Sequence, residues 1–220
     1  MVNRFNELFE MLKGDVQMHM RWLMFAARMD KVVVRMLDMR SPRDYVLAIE
    51  AAGRLRLRPA LQRVTRFVDD PRPEVAQLAA QSLVRIDPGL GVRRVVSEFL
   101  HHPDWDVRQM AAVLADGRSE IRVALAEALK HADADSRPRV IELIESLRDE
   151  PGGRAIRDLL TYRASHERAS REEIAAAMHA LSTFGDPRDA ALVRRYTEHE
   201  DEGVRSEAEL ALRRISAVAE

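Results

Sequence analysis

The stretch HHPDWDVRQMAA, from His101 to Ala112, is unusually rich in side chains that could do chemistry. It contains two imidazoles, a Trp between two carboxylates and an Arg, which together could bind a metal ion or move protons. Neighbouring histidines on a helix point about 100° apart, however, so His101 and His102 are poor joint ligands. The same stretch also fits a turn between two helices, and the surrounding sequence decides between the two interpretations.

A repeat runs through most of the chain. Apolar anchor residues recur at intervals of 29, 32, 33, 34 and 30 residues, and they are Val46, Val75, Val107, Val140, Ile174 and Val204. Apolar residues follow each anchor at helical spacing, which predicts an anchor helix in every repeat. Between anchor helices the sequence predicts return helices at Arg58–Val68, Leu90–Leu100, Arg118–Lys130, Gly153–Tyr162 and Pro187–Glu198. HHPDWDV has the same register as DDPRPEV and EHEDEGV, so we interpret it as a joint between helices.

Helix starts are marked by capping residues. Asp186 precedes Pro187, which places a capping carboxylate before a proline at the first helical position. SREE at Ser170–Glu173 has the spacing of a capping box. Both signals agree with the helix boundaries that the repeat predicts.

The fold class that follows is all-α, a right-handed alpha-alpha superhelix of stacked helix pairs over residues 40–220. Residues 1–39 depart from the repeat and hold eight of the ten Met residues, together with Phe5, Phe9, Trp22 and Phe25. A solenoid needs an atypical end unit to cover its terminal apolar face. We therefore interpret residues 1–39 as Met-rich capping helices.

Composition describes a globular protein with a near-neutral but uneven charge. Hydrophobic residues make up 46% and charged residues 32% of the chain, and there is no Cys, which fits a reducing compartment. The net charge is −1, yet residues 1–100 hold 17 Lys and Arg against 12 Asp and Glu, whereas residues 101–220 hold 18 against 24. The run MRWLMFAARMDKVVVRMLDM is interrupted by charges, so we do not expect it to cross a bilayer.

The segment FGDPRDAALVRRYTEHEDEGVRSEAELALRRI, Phe184 to Ile215, resembles the short HEAT unit that is also found in phycobilin-lyase-type repeats. Pro71 to Ala112 is similar to the same unit. The resemblance covers about 40–216 and implies a HEAT-like solenoid. It implies no particular activity.

A narrower resemblance concerns the order FNELFEMLKGD, RSPRDYVLAIEAAGRL and AAQSLVRIDP. This order is similar to bacterial HEAT-repeat proteins that have an upstream membrane anchor and a cytoplasmic repeat domain. Some of those proteins belong with membrane glycosyltransferases. The resemblance thus implies a cytoplasmic protein at the inner face of the inner membrane, with a membrane-associated enzyme such as a glycosyltransferase as its partner.

The sequence offers no catalytic, cofactor-binding or metal-binding motif. It lacks GxSxG, a P-loop, GxGxxG and HExxH, and its many carboxylates lie in helix starts or polar turns where capping explains them. We therefore expect a non-catalytic protein-binding scaffold without a cofactor. The alternatives are a HEAT-like enzyme, of DNA glycosylase or bilin-lyase type, and a nucleic-acid binder, although the expected inner surface does not favour nucleic acid.

That inner surface follows from helix geometry. The second and sixth residues after each anchor should face solvent, on the side that is concave in HEAT proteins: Ala48, Ala52, Gln77, Gln81, Gln109, Val113, Glu142, Ser146, Ala176, Ala180, Ser206 and Leu210. These positions hold one carboxylate and no Lys or Arg, which suits a protein segment better than a phosphate backbone. The predicted partner-binding residues are Gln77, Gln81, Gln109 and Glu142. To them we add Arg54, Arg56, Arg58 and Arg63, from the Arg-rich stretch 40–66, as an electrostatic contact for lipid headgroups or an acidic partner.

Overall fold

The computed structural model describes residues 2–117, 119–166 and 169–218, and the regular secondary structure of these residues is entirely helical. The α-helices are α1 Val2–Met11, α2 Asp15–Ala26, α3 Met29–Met36, α4 Pro42–Leu55, α5 Leu61–Thr65, α6 Pro73–Ile86, α7 Pro88–His101, α8 Val107–Leu114, α9 Ser119–His131, α10 Arg137–Ser146, α11 Glu150–His166, α12 Arg171–Phe184, α13 Ala190–Arg194 and α14 Glu202–Val218. Short 3-10 turns occupy Arg58–Ala60, Ala115–Gly117, Pro187–Asp189 and Arg195–Glu198. Within the described ranges, no helix is both long and apolar enough to span a bilayer.

The chain forms two compact units. The first consists of Met1–Glu98 with Val113–Glu120, and the second of Phe99–Ala112 with Ile121–Glu220. Each unit is a stack of helix pairs. The fold class is therefore an all-α solenoid, which confirms the predicted class. The helices of residues 1–39 belong to the first unit. The predicted division into residues 1–39 and 40–220 stays a prediction.

The first unit is centred on α4, which packs against α6 on one side and against α1 and α3 on another. Gly53 allows the close approach of α4 to α6, since a Cβ there would lie 2.9 Å from the Cα of Ser82. Phe5, Phe9 and Val33 are buried by this packing, so α1 and α3 cover apolar surface of α4. The intervening helix α2 buries no residue at all.

The second unit stacks α10 on α12 and α12 on α14, with α11 against α10 and α12. Gly152 lets α11 begin close to α10, because a Cβ there would meet the Ile144 side chain at 2.5 Å. Both predicted caps are confirmed. The Ser170 hydroxyl accepts a hydrogen bond from the Glu173 backbone N–H at 3.1 Å, and the Asp186 carboxylate accepts one from the Arg188 backbone N–H at 3.0 Å.

The predicted helix pattern is confirmed with shifts of a few residues, and Arg118, the predicted start of one return helix, lies outside the described residues. Four positions predicted to face solvent are buried instead: Ala48, Ala52, Val113 and Ala180. In α4 the buried face begins at Tyr45, one residue before the predicted anchor Val46, and this register turns Ala48 and Ala52 into the core. Helix α12 is enclosed by α10, α11 and α14, which covers Ala180.

Candidate functional site

The joint at His101–Ala112 is structural in its contacts. Residues 102–106 form the non-helical turn between α7 and α8, and the His102 ring stacks on the buried Trp105 ring with centroids 5.1 Å apart. From α10, the Arg139 guanidinium donates hydrogen bonds to the backbone oxygens of Phe99, His102 and Trp105 at 2.9–3.1 Å. Burial lowers the pKa of Arg139 in spite of Glu142 and Asp104 nearby. Arg139 therefore fixes the turn in place.

A polar cavity in the first unit brings together several of the residues that the sequence singled out. It has a volume of about 430 Å³. Its walls come from α1, α2, α4 and α6 and from the 3-10 turn after α8, through Phe9, Glu10, Gln17, Arg21, Glu50, Gly53, Arg54, Arg56, Gln81, Arg85 and Asp116. Three of the predicted partner-binding residues, Arg54, Arg56 and Gln81, are among them.

Arg54, one of the predicted partner-binding residues, is buried and paired within the fold, and its binding role stays a prediction. Its side chain is only 7% exposed, and its guanidinium pairs with Glu10 at 2.6 Å and with Glu50 at 2.7 Å. It also donates to the backbone oxygen of Asn6. A buried cation requires this compensation, because an unpaired charge inside a protein is strongly unfavourable. Arg54 thus ties α1 to α4.

The remaining arginines of the cavity are less completely neutralised. Arg21 Nε donates to the backbone oxygen of Arg54 at 2.8 Å, and its guanidinium lies 5.2 Å from the centroid of the Phe9 ring. Arg85 pairs with Asp116 at 2.7 Å, whereas Arg56 is exposed and makes no ion pair within the described residues. Burial, followed by repulsion from Arg56 and Arg85, lowers the pKa of Arg21. Positive charge therefore converges on this cavity.

Glutamine side chains complete the cavity. Gln17 Nε2 donates to the backbone oxygens of Phe9 and Leu12 at 3.1 and 2.7 Å, which holds the start of α2 against the end of α1. The half-buried Gln81 on α6 keeps its side-chain amide unbonded among the described residues. A primary amide can donate to and accept from a peptide group at the same time. Gln81 can therefore bind the main chain of an extended segment.

The other predicted residues do not line this cavity. Arg63 and Arg66 both hold the Asp38 carboxylate, at 2.9 and 3.0 Å, and the hydrogen bond from Arg63 is the main cause of the lowered pKa of Asp38. Arg58 is exposed at the start of a 3-10 turn. Gln77 is half-buried, one helical turn before Gln81. Gln109 and Glu142 are exposed on the second unit, and their binding role stays a prediction.

A second, larger cavity of about 810 Å³ in the second unit also has arginines in its walls. Two of them mainly serve the structure there. Arg157 on α11 pairs with Asp186 at 3.1 Å and with the buried Asp189, and Arg188 pairs with Asp186 at 2.8 Å. These contacts join α11 to the turn before α13. The walls of this cavity contain four arginines and three carboxylates, as do the walls of the cavity in the first unit.

No family model matches the chain, and no curated protein matches it. Among solved structures, the chain is similar to human deoxyhypusine hydroxylase in complex with glycerol, with 18% identity, a TM-score of 0.46, and coverage of 98% of this chain and 84% of that chain. It is also similar to a designed armadillo repeat protein in complex with the peptide (KR)4, with 16% identity, a TM-score of 0.40, and coverage of 97% and 91%. A second designed armadillo repeat protein has 15% identity and a TM-score of 0.36, with coverage of 84% and 98%. Structural similarity at these TM-scores does not indicate an activity or a ligand for this chain.

Proposed function

We propose that this chain is a non-catalytic scaffold that binds an acidic segment of a protein partner in the arginine-lined cavity of the first unit. One observation carries the proposal. Arg21 and Arg56 face the cavity without a carboxylate partner among the described side chains, so an incoming carboxylate would gain charge-assisted hydrogen bonds. Gln81 would bind the main chain of the same segment.

The composition of the cavity walls supports binding over catalysis. Among the described residues, the walls include no His, Ser, Thr, Lys or Tyr that could act as a base or nucleophile. The three carboxylates are engaged as acceptors, Glu10 and Glu50 by Arg54 and Asp116 by Arg85. These carboxylates therefore serve the structure of the cavity walls.

The sequence resemblance adds a partner class to the proposal. It suggests a bacterial cytoplasmic protein whose partner is a membrane-associated enzyme, such as a glycosyltransferase. An acidic loop or tail of such an enzyme has the chemistry that the cavity requires. The proposal does not depend on this identification, since any exposed acidic segment would present the same carboxylates.

The test uses a fluorescein-labelled peptide rich in Asp and Glu, with fluorescence anisotropy as the readout. Arg56→Asn removes the charge and keeps a residue that tolerates the left-handed backbone at this position, φ 51°. We expect it to weaken binding about tenfold or more, since a hydrogen bond to a charged group contributes about 1.5–3 kcal/mol. The matched control is Arg148→Asn, another exposed arginine with a left-handed backbone, φ 48°, which should leave binding unchanged.

Two outcomes would contradict the proposal. One is an affinity that Arg56→Asn and Arg148→Asn lower equally, which would indicate general charge attraction in place of a site. The other is a single-stranded oligonucleotide that binds more tightly than the peptide with the same dependence on Arg56, which would indicate a nucleic-acid binder. Each titration is repeated at higher salt, because the Debye length falls from about 10 Å at 0.1 M to about 3 Å at 1 M.

A further inference from the structure

Helix α2 has the reverse of the usual amphipathic arrangement. A surface helix normally turns its apolar stripe inward and its polar side chains to water. In α2 the polar side chains of Gln17 and Arg21 point inward and hydrogen-bond to backbone oxygens of α1 and α4. Although most of its residues are apolar, no residue of the helix is buried.

Six of the eight side chains on the outward half of α2 are apolar. Trp22 is 68% exposed and Phe25 44% exposed, and the other large exposed side chains of the helix are Val16, Met18 and Leu23. At 3.6 residues per turn these five side chains fall on one half of the helix, which they share only with Asp15, His19 and Ala26. We call this half the α2 apolar face. An exposed apolar face of this kind marks a site of interaction.

Basic side chains flank the face at both ends of the helix. Lys13 precedes α2, Arg28 follows it, and Lys31 lies in the first turn of α3, all of them exposed. No ion pair involving these three is formed within the described residues. Asp15 and Asp30 are the acidic residues in the same stretch, so the stretch from 13 to 31 carries an excess of cations.

We infer that the α2 apolar face docks on the surface of an anionic lipid bilayer. An interfacial helix inserts its Trp, Phe and Leu side chains at the boundary between headgroups and acyl chains, while Lys and Arg bind anionic headgroups. Trp is especially suited to that boundary because its ring is apolar and its indole N–H is polar. A second copy of the chain is a poorer occupant, since an antiparallel α2 pair would bring Lys13 of one copy close to the Arg28 of the other.

The inference is independent of the ligand of the cavity, because the α2 apolar face and the cavity use opposite sides of the helix. The test measures co-sedimentation of the full chain with phosphatidylcholine vesicles, with and without added phosphatidylglycerol. We expect binding to the vesicles that contain phosphatidylglycerol, and a loss of that binding at high salt. The fluorescence of Trp22 provides a second readout, because an exposed Trp shifts its emission to the blue when it leaves water, whereas Trp105 is already buried.

Two sets of variants separate the apolar and the charged contributions. Trp22→Ser with Phe25→Ser should lower vesicle binding about tenfold or more, because less apolar surface is transferred from water. The matched control is Val123→Ser with Leu210→Ser, which replaces side chains that are 65% and 42% exposed elsewhere in the chain and should leave binding unchanged. Reversal of Lys13, Arg28 and Lys31 to Glu should lower binding about a hundredfold or more.

Several results would overturn the inference. These are no binding to vesicles containing phosphatidylglycerol, equal binding to pure phosphatidylcholine, or binding that Trp22→Ser with Phe25→Ser leaves intact. A dimer detected by light scattering that the same double variant dissociates, without vesicle binding by the wild type, would assign the face to a second copy. Circular dichroism of each variant confirms that the helices are retained, and these exposed substitutions should not alter it.

Discussion

Arg54 and Arg56 lie two residues apart in the chain but have different roles. The Arg54 guanidinium is buried and holds Glu10 and Glu50, so its charge is used within the fold. The Arg56 side chain is exposed at the end of α4, where the backbone takes a left-handed conformation. The difference decides which arginine can serve a partner. Because the Arg56 side chain makes no ion pair among the described residues, its substitution should affect binding more than stability.

Asp186 is a residue whose charge contributes to stability in a pH-dependent way. Its carboxylate accepts hydrogen bonds from the Arg188 side chain and backbone, and these lower its pKa from 3.8 to about 2. Since the pKa is lower in the folded state, the contribution is fully present above 3.8 and is lost as the pH falls through about 2. Asp186→Asn keeps a good N-cap residue but removes the charge. We expect it to lower the free energy of unfolding by about 1 kcal/mol at neutral pH, a value discounted for the exposure of Arg188.

Urea unfolding of the wild type and Asp186→Asn, at neutral pH and at acid pH, tests this prediction. The difference in free energy of unfolding between the two proteins should disappear near pH 2.

Asp149 should have a pH dependence of stability opposite to that of Asp186. Burial raises the pKa of Asp149 above 3.8, so the ionised carboxylate destabilises the folded state. This destabilisation is lost as the pH falls through the raised pKa and the carboxylate takes up a proton. Relative to Asp149→Asn, the wild type should therefore gain stability on acidification. Parallel pH dependence for the two substitutions would contradict this account.

At the residue scale, the sequence identified side-chain types but not their distant partners. The Arg-rich stretch 40–66 predicted a shared electrostatic surface. Arg54 instead finds Glu10, which lies 44 residues earlier in the chain, and Arg63 finds Asp38 on the approach to α4. Local patterns do not determine such long-range pairs. The caps at Ser170 and Asp186 could be predicted because both partners lie within three residues.

Helix α7 shows how small residues set the distance between elements. Gly91 lies on the side of α7 that meets α6, and a Cβ at this position would be 2.6 Å from the backbone carbonyl carbon and oxygen of Leu83. A backbone contact cannot be relieved by rotation of a side chain. At Gly89, in the first turn of the same helix, the nearest atom to an added Cβ is 3.6 Å away. Within one helix, a side chain is therefore excluded at Gly91 and can be accommodated at Gly89.

We expect Gly91→Ala to lower the free energy of unfolding by about 1–3 kcal/mol, because the added methyl group forces α7 away from α6. Gly89→Ala should be neutral or stabilising by up to about 1 kcal/mol, since Ala has the higher helix propensity. Urea unfolding of the two variants measures both effects in one helix. If the two substitutions changed stability by the same amount, helix propensity and not packing would govern both positions.

At the element scale, the helical repeat was predictable because period and turn residues are local. The anchor residues Val75, Val140 and Val204, which define the repeat, are buried. Helix α2 was not predictable in the same way. Its Met and aromatic residues indicated a cap that buries its apolar side, but Gln17 and Arg21 are held by backbone oxygens of α1 and α4, and these contacts turn the apolar side outward. The orientation of α2 is therefore set by its hydrogen bonds to backbone oxygens of α1 and α4, and not by its apolar residues.

At the scale of the whole molecule, the two proposals place two different binding surfaces on one helix of the first unit. The inner side of α2 contributes Gln17 and Arg21 to the cavity. Its outer side presents Trp22 and Phe25. A molecule with this arrangement could hold an acidic segment while it rests on an anionic bilayer. Arginines line the cavity and basic residues flank the α2 apolar face, which agrees with the excess of Lys and Arg over Asp and Glu in residues 1–100.

Simultaneous binding is the direct test of this arrangement. A labelled acidic peptide alone should stay in solution with vesicles of phosphatidylglycerol and phosphatidylcholine, because peptide and vesicle are both anionic. With the full chain added, the peptide should co-sediment with the vesicles. Arg56→Asn should release the peptide but not the protein from the vesicles, whereas Trp22→Ser with Phe25→Ser should release both. If peptide and vesicles instead displaced each other, they would share one cationic surface, and the assignment of opposite sides of α2 to different ligands would be wrong.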